Sequence, residues 1–467
     1  MKEFDFQVKP KFMPPLDKDF RPASLANRFF LDEAEKSGNS VPLAISLERA
    51  GGLVHTYRTK VFGDESKYAK ANLFYVERLV KTLLWQIGGW KITVGGPVYI
   101  GHFIRDAYSK GGLRNFDMGH MTRVYERPIK VVITTYENVP GSFEETKPVG
   151  RHLDGCRIGF DAGGSDRKVS AVIDGNAVYS EEVIWNPKVN SDPDYHYKEI
   201  LTAMKTAASK MPRVDAIGVS SAGIYVDNRI MVASLFMKVP QYLYDDRVKN
   251  MYLDIAREMG NVPIEVANDG DVTALAGAMD LNDNNVLGLA MGTSEAGGFI
   301  DGKGNITGWL NELAFIPVDF NPASAVDEWS GDYGCGVKYF SQDAVIKLAP
   351  AAGIELDENL TPAEKLKIVQ ELHENGHEGA ALIFESIGCY LGYAIAHYAD
   401  FYDIKHVLIL GRVTSGAGGN IILTAARNVL AEEFPELNRI IMLHLPDENN
   451  RRVGQSIAAA SLPALNR

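Results

Sequence analysis

The chain has 467 residues, more than one hydrophobic core usually organises, so at least two lobes are expected. It is 46% hydrophobic and 23% charged, which excludes an extensively disordered protein. A net charge of −12 with no Lys/Arg block argues against a chain-wide binder of nucleic acid or anionic membrane.

The start, MKEFDFQVKPKFMPP, carries no apolar signal core, and no apolar run is long enough to span a bilayer. Cys156, Cys335 and Cys389 are too scattered for a disulfide scaffold or a four-cysteine metal site, so a reducing, cytoplasmic setting is expected.

Residues 1–40 read as irregular, broken by Pro10, Pro14, Pro15 and Pro22. Residues 43–49 and 53–62 flank Ala50-Gly51-Gly52 as a hairpin. Helical spacing over 68–87 stops at Gly88-Gly89. A strand at 91–94, Gly95-Gly96-Pro97, a helix through Tyr108 and a strand at 129–135 follow. Residues 137–154 mix Pro, Gly and charge and make the domain boundary. Beyond it the pattern is regular α/β. Strands are predicted at 157–161, 168–173, 216–220, 264–267, 286–290, 297–300 and 407–410. Helices are predicted at 197–209, 246–258, 272–279, 362–373, 378–401 and 419–433, covering the sheets.

Three strand–turn segments carry the chemistry. In IGFDAGGSDRKVSAVI the strand ends at Asp161 and turns through Gly163-Gly164-Ser165, where glycines let backbone N–H groups approach an anion. A carboxylate beside phosphates needs a cation between them, so Asp161 implies Mg²⁺ held through water. A plain hairpin turn is the bland alternative for this segment. In LGLAMGTSEAGGFIDG a strand runs into Gly292-Thr293-Ser294, whose hydroxyls suit phosphate oxygens. In VLILGRVTSGAGGNIIL a strand ends at Gly411, and a small-residue turn through Ser415 and Gly416 lets a flat base lie against the backbone. Between the first two loops, IEVANDGDVTALAGAM puts Asn268-Asp269 at a strand end before a helix. Asp271 fits the helix-capping role, which leaves Asp269 free to accept a proton from an attacking hydroxyl.

Over roughly residues 156–467 these motifs resemble the ROK family of repressors and sugar kinases. The family's first phosphate loop matches DAGGS, Asp161–Ser165, and its second matches MGTSEAGG. Its adenosine segment matches LGRVTSGAGG, with Arg412 where a glycine is usual. Its E-x-x-N-D-A motif reads Glu265-Val266-Ala267-Asn268-Asp269-Gly270, so the resemblance implies that Asn268 binds a sugar hydroxyl and Asp269 is the general base. SSAGIYVDNRIMVAS lies at the substrate-side segment, implying that Gly223 and Ser234 approach substrate. RRVGQSIAAASL looks like the helix that closes the first lobe.

The implied fold is α/β, a two-lobed actin-like ATPase (ribonuclease H-like) core plus an N-terminal α/β extension. Its parts are the extension at 1–150, a first lobe at 151–280 completed by 450–467, and a second lobe at 281–449. The implied activity is an ATP- and Mg²⁺-dependent sugar kinase, with a small-molecule sugar as partner and a homodimer left open. The alternative is a catalytically silent sugar- or nucleotide-binding regulator.

Two family segments depart from the pattern. G-E-x-G-H reads Asn311-Glu312-Leu313-Ala314-Phe315, which keeps Glu312 as a sugar ligand and replaces the histidine. The zinc segment best matches residues 333–342, with Cys335 alone remaining and Gln342 at its end. No zinc site is therefore expected, and packing by Phe315, Tyr339 and Phe340 is expected in its place. HENGH at 373–377 mimics a metalloprotease helix, but Asn375-Gly376 stops a helix there, so it reads as a corner. The extension lacks a basic recognition helix, which argues against DNA binding.

Overall fold

A computed structural model describes residues 8–144, 148–446 and 448–465 of the chain, the last segment with side chains from Gly454 onward. Residues 1–7 of the start, and 145–147 of the expected boundary, lie outside the described residues. The chain clusters into two compact units. The first takes in Met1–Glu145, Leu289–Gly297 and Trp309–Leu445; the second takes in Thr146–Gly288, Gly298–Gly308 and Pro446–Arg467. The first 145 residues thus belong to the same unit as the residues of the expected second lobe.

In the first unit, Ala23–Lys36 is a helix that the prolines had hidden. Pro22 occupies its capping position, where a missing N–H removes no helical bond. Ala26, Phe30 and Ala34 share its buried face, and Phe30 stacks on Tyr75 with centroids 4.2 Å apart. Strands β1 (Ser40–Glu48), β2 (Val54–Phe62), β3 (Lys91–Gly95) and β4 (Lys130–Thr134) form a sheet of order β2-β1-β3-β4. β1 runs antiparallel to β2 and β3, while β3 and β4 are parallel. Parallel pairing requires a crossover, supplied by helices Val98–Ala107 and Asn115–Tyr125, the second of which was not predicted. Helix Ala71–Ile87 is buried almost all round, including Glu77, Arg78 and Lys81.

The second unit is built on β5 (Cys156–Ala162), β6 (Asp166–Ile173), β7 (Asn176–Ile184), β8 (Ala216–Ser221), β9 (Ile224–Val226), β10 (Arg229–Val232) and β11 (Ile264–Asn268). Its main sheet has the order β11-β8-β5-β6-β7, with β5, β8 and β11 parallel and β5-β6-β7 an antiparallel meander. β9 and β10 form a separate hairpin. β7 escapes the sequence pattern because it is an edge strand with no fully buried residue. Ile158, Phe160, Val169, Met204, Ile217, Val219 and Ile255 fill the core.

Helix Glu448–Ala460 closes this sheet, as the C-terminal pattern predicts. The approach is so close that only glycine fits beneath it. A methyl group on Gly159 would stand 2.0 Å from the Ser456 carbonyl oxygen, and one on Gly218 would stand 1.7 Å from that of Ala459.

A further sheet has the order β13-β12-β14-β15, from β12 (Val286–Met291), β13 (Glu295–Ile300), β14 (His406–Leu410) and β15 (Met442–His444). Helices Glu378–Tyr398 and Ala417–Glu433 pack on each other in the first unit. Among the described residues, Glu378–Tyr398 is the one helix long and apolar enough to cross a membrane, and 78% of its apolar window is buried in the core.

Replacing Gly218 by Ala must push the closing helix off β8. The expected result is a loss of about 1–3 kcal/mol, the usual cost of overpacking, read from urea unfolding.

Candidate functional site

In the second unit, the predicted residues gather at the carboxyl ends of the parallel strands β5, β8 and β11, where open α/β sheets bind ligands. After β5 the chain turns through Gly163, Gly164 and Ser165 into β6. Trp185, buried, pins this turn: its Nε1–H donates to the Gly163 carbonyl at 2.8 Å and its backbone N–H to that of Ser165 at 3.1 Å. The Ser165 hydroxyl donates to Asp166 at 3.0 Å.

Asp161 is 6% exposed. Its Oδ1 accepts from the Ser220 hydroxyl at 2.7 Å and from Gln455 Nε2 at 3.5 Å. Lys168 Nζ lies 3.9 Å from its other oxygen. Burial raises the pKa of Asp161 above the ordinary carboxylate range.

β11 ends at Asn268, and helix Asp269–Leu281 begins at once. The cap is Asn268 rather than Asp271, because its Oδ1 accepts from the Gly270 N–H at 2.7 Å. Asp271 is buried and accepts instead from the Phe299 N–H at 3.2 Å. Asn268 Nδ2 also donates to the Gly223 carbonyl at 2.8 Å, which ties the turn between β8 and β9 to the end of β11. Gly223 has φ 140° and room for no side chain, since a methyl group there would stand 2.5 Å from the Val232 carbonyl. Ser234, exposed, opens the 3₁₀ turn just beyond Ala233, which packs against Gly223. Asp269 is half-buried, and burial followed by the charge of Asp161 pushes its pKa up to about 6. Ser220 and Gln455 both bond Oδ1 of Asp161, and its Oδ2 is an oxygen donor of the kind a hard divalent cation takes.

In the first unit, Gly292, Thr293 and Ser294 connect β12 to β13. The Gly292 N–H donates to the Ser294 carbonyl, and the Gly292 carbonyl accepts from Gln342, both at 3.0 Å. The side chains of Thr293 and Ser294 are left exposed. Gly411, after β14, lies against this loop: a methyl group on it would stand 2.3 Å from the Met291 carbonyl oxygen. The Ser415 hydroxyl donates back to the Gly411 carbonyl at 3.5 Å, and Gly416 starts helix Ala417–Glu433 with φ 70°. The Gly292–Ser294 loop and Gly411 thus lie together at the ends of β12 and β14, with Ser415 and Gly416 following Gly411.

Glu312 is held by the end of helix Ala71–Ile87. The N–H groups of Asn311 and Glu312 donate to the carbonyls of Gln86 and Trp85 at 2.9 and 3.1 Å. Phe315 lies three residues on, at the end of a 3₁₀ turn. Its ring stacks on Trp85 at 4.1 Å, with Phe116 at 5.7 Å.

The residues expected to pack in place of a zinc site do lie among aromatic rings, with Tyr339 and Phe340 buried and their rings 6.4 Å apart. Tyr339 packs on Tyr390 and Phe20, and Phe315 on Trp85; against Cys335 stands a buried ion cluster. Asp332, 5% exposed, receives both guanidinium nitrogens of Arg78 at 3.0 and 3.2 Å, Lys81 at 2.6 Å and Arg114 at 2.9 Å. Glu77 binds Arg78 at 2.7 Å and also pairs with Arg114. Lys81 Nζ lies 3.8 Å from the sulfur of Cys335, and burial pushes that thiol up to about 12. The Lys81 ammonium at that distance opposes a second cation on the sulfur. Likewise, helix Pro362–Glu374 ends within HENGH, and His377 caps the next helix.

Sequence reading missed Ser220, Trp185 and Gln455, whose roles come from neighbours remote in the chain. Only the small-residue context of Ser220 at a strand end offered a signal.

A meandering sheet closed by a C-terminal helix, and a unit with two glycine-rich strand ends, are the parts of an actin-like ATPase fold. The chain belongs to the ROK family, whose model matches residues 157–451. It is similar in fold to the ROK hexokinase from Thermus thermophilus, with 18% identity, a TM-score of 0.51, and coverage of 65% of this chain and 97% of that one. It is also similar to a ROK-family transcriptional regulator homologous to the E. coli MLC protein, with 17% identity, a TM-score of 0.53, and coverage of 66% and 79%. Comparison with curated proteins finds no match. The matches cover about two thirds of the chain, and residues 8–144 add an α/β sheet outside the family model.

Asp332→Ala leaves three buried cations without their shared carboxylate. A loss of about 3–5 kcal/mol is expected in denaturant unfolding, the usual cost of breaking a buried pair from one side.

Proposed function

We propose that this protein is an ATP-dependent phosphotransferase that phosphorylates a hydroxyl of a sugar or sugar derivative. The observation that supports this reading most is Asp269, a half-buried carboxylate at the end of β11 with a pKa of about 6. Such a group is mostly ionised at neutral pH, yet basic enough to take a proton from an attacking hydroxyl.

In the second unit, Asp269 is the general base, and Asn268 binds the acceptor. After its two internal bonds, Asn268 keeps one N–H and one lone pair for a sugar hydroxyl. Gly223 and Ser234 border this position. The turn Gly163–Ser165 offers backbone N–H groups to phosphate. In the first unit, Gly292, Thr293 and Ser294 are assigned to phosphate and Gly411, Ser415 and Gly416 to adenosine. Glu312 accepts a hydrogen bond from a sugar hydroxyl, and the half-exposed ring of Phe315 presents an apolar face to the acceptor. When bound, Mg²⁺ supplies charge neutralisation for the phosphates, and Asp161 is the residue that would hold it, through water.

The chemistry is one displacement. The acceptor hydroxyl loses its proton to Asp269 as its oxygen bonds to the terminal phosphorus, and the bond to the leaving ADP breaks. Preorganised N–H groups stabilise the charge that develops on the phosphoryl oxygens.

A second reading, a silent sugar- or nucleotide-binding regulator on the same fold, is favoured by Phe315 and Gln342 at positions expected to hold polar sugar contacts.

ATP consumption across a panel of sugars separates the two readings. At least one sugar is expected to stimulate turnover, and Asp269→Asn to lower kcat/KM by about 10²–10⁴-fold. Because the base works ionised, kcat/KM of the unmodified protein should fall as pH drops through about 6. If ligands bind and no sugar stimulates turnover, the regulator reading replaces the kinase.

A further inference from the structure

Beyond β7 the chain is pinned against the Gly163–Ser165 turn by the two Trp185 hydrogen bonds. The next residues are held as firmly. The Asn186 N–H donates to the Tyr195 hydroxyl at 3.2 Å, Pro187 is buried, and the 3₁₀ turn Pro187–Val189 packs on the turn Ser234–Phe236. This anchoring lays the side chain of Lys188 across Gly164. A methyl group on Gly164 would stand 2.9 Å from Lys188 Cε and 3.1 Å from Nζ.

The ammonium is exposed, and among the described residues it has no carboxylate within ion-pair distance. Lys168, on the same side of the turn, differs in being 3.0 Å from Asp166. Lys188 is still near enough to Asp269 for its charge to be felt there. A cation on a fixed stretch of backbone, lying over a glycine turn whose N–H groups suit an anion, has the surroundings of a phosphate contact. An ordinary solvated surface lysine shows neither the glycine beneath its stem nor a backbone fixed from both sides.

We propose that Lys188 is a phosphate-contacting residue that meets the transferring, terminal phosphoryl group of ATP next to the Gly163–Ser165 turn. The inference rests on the kinase reading and adds to it a cation from this chain. Lys188 stays protonated throughout and only donates hydrogen bonds; the acceptor proton goes to Asp269, and the electrons of the broken bond leave with ADP. A cation placed at the last phosphate discriminates triphosphate from diphosphate, a property measurable without turnover.

The test is calorimetric titration of the full chain, with Mg²⁺, using ADP and the non-hydrolysable β,γ-imido analogue of ATP. Lys188→Ala is expected to weaken the triphosphate analogue ~10-fold or more and ADP by less than ~2-fold, the loss of one charge-assisted hydrogen bond. Lys188→Arg should recover part of the loss. Equal weakening of both nucleotides, or no change in either, overturns the proposal and leaves the kinase reading standing. Absence of any nucleotide binding by the unmodified protein overturns both.

Discussion

Asp332 is the point on which the first unit depends. Three cations converge on one carboxylate with almost no access to water. Burying charge costs several kcal/mol per ion, and only near-ideal geometry offsets it. The fork of Arg78 on both oxygens of Asp332, and the cross-link of Arg78 and Arg114 through Glu77, meet that demand. An arrangement this exacting fixes helix Ala71–Ile87 in rotation and in height. Its last turn is then placed for the Trp85 and Gln86 carbonyls to receive Glu312 and Asn311. A charge cluster around Cys335 thereby determines where a candidate sugar ligand sits two turns of helix away.

The second unit obeys a different constraint, which is steric. Gly159 on β5 and Gly218 on β8 let the closing helix lie directly on the sheet. The same two strands end in the carboxylate site: Asp161 on β5, and Ser220, which holds it, on β8. Gln455 reaches both from the closing helix, with its Nε2 3.5 Å from Asp161 and 3.4 Å from Ser220. The backbone contact that packs the helix therefore also delivers a side chain to the site.

Features set by local chemistry were legible in the sequence. Glycine turns at strand ends, the Asn268-Asp269 strand end and the alternation of strands with helices all appear where their patterns fall. Features set by distant partners were not. Ala23–Lys36 looked irregular because prolines crowd before it, although Pro22 is harmless at a cap. Asp271 has a better capping composition than position, because the helix starts two residues earlier and Asn268 is already there. Glu77, Arg78 and Lys81 lie on a helix legible from its apolar spacing, but only the fold reveals that Asp332 waits more than 250 positions away in the chain. Exposed Lys188 has no sequence signature at all, since its meaning lies in the Gly164 backbone beneath it.

The segment around Cys335 and the extension are physically one matter. A metal ion organises a loop through ligands supplied by the loop itself, so such a segment needs little from the rest of the chain. Here the segment around Cys335 is organised by Arg78, Lys81 and Arg114, all supplied by the first 145 residues. The extension thus organises this segment, and the same helix holds the backbone of Asn311 and Glu312. Trp85 carries the load twice, through its carbonyl to Glu312 and through its ring to Phe315. Residues 8–144 are for that reason an integral part of the first unit, and Phe315 takes its place there by stacking on Trp85.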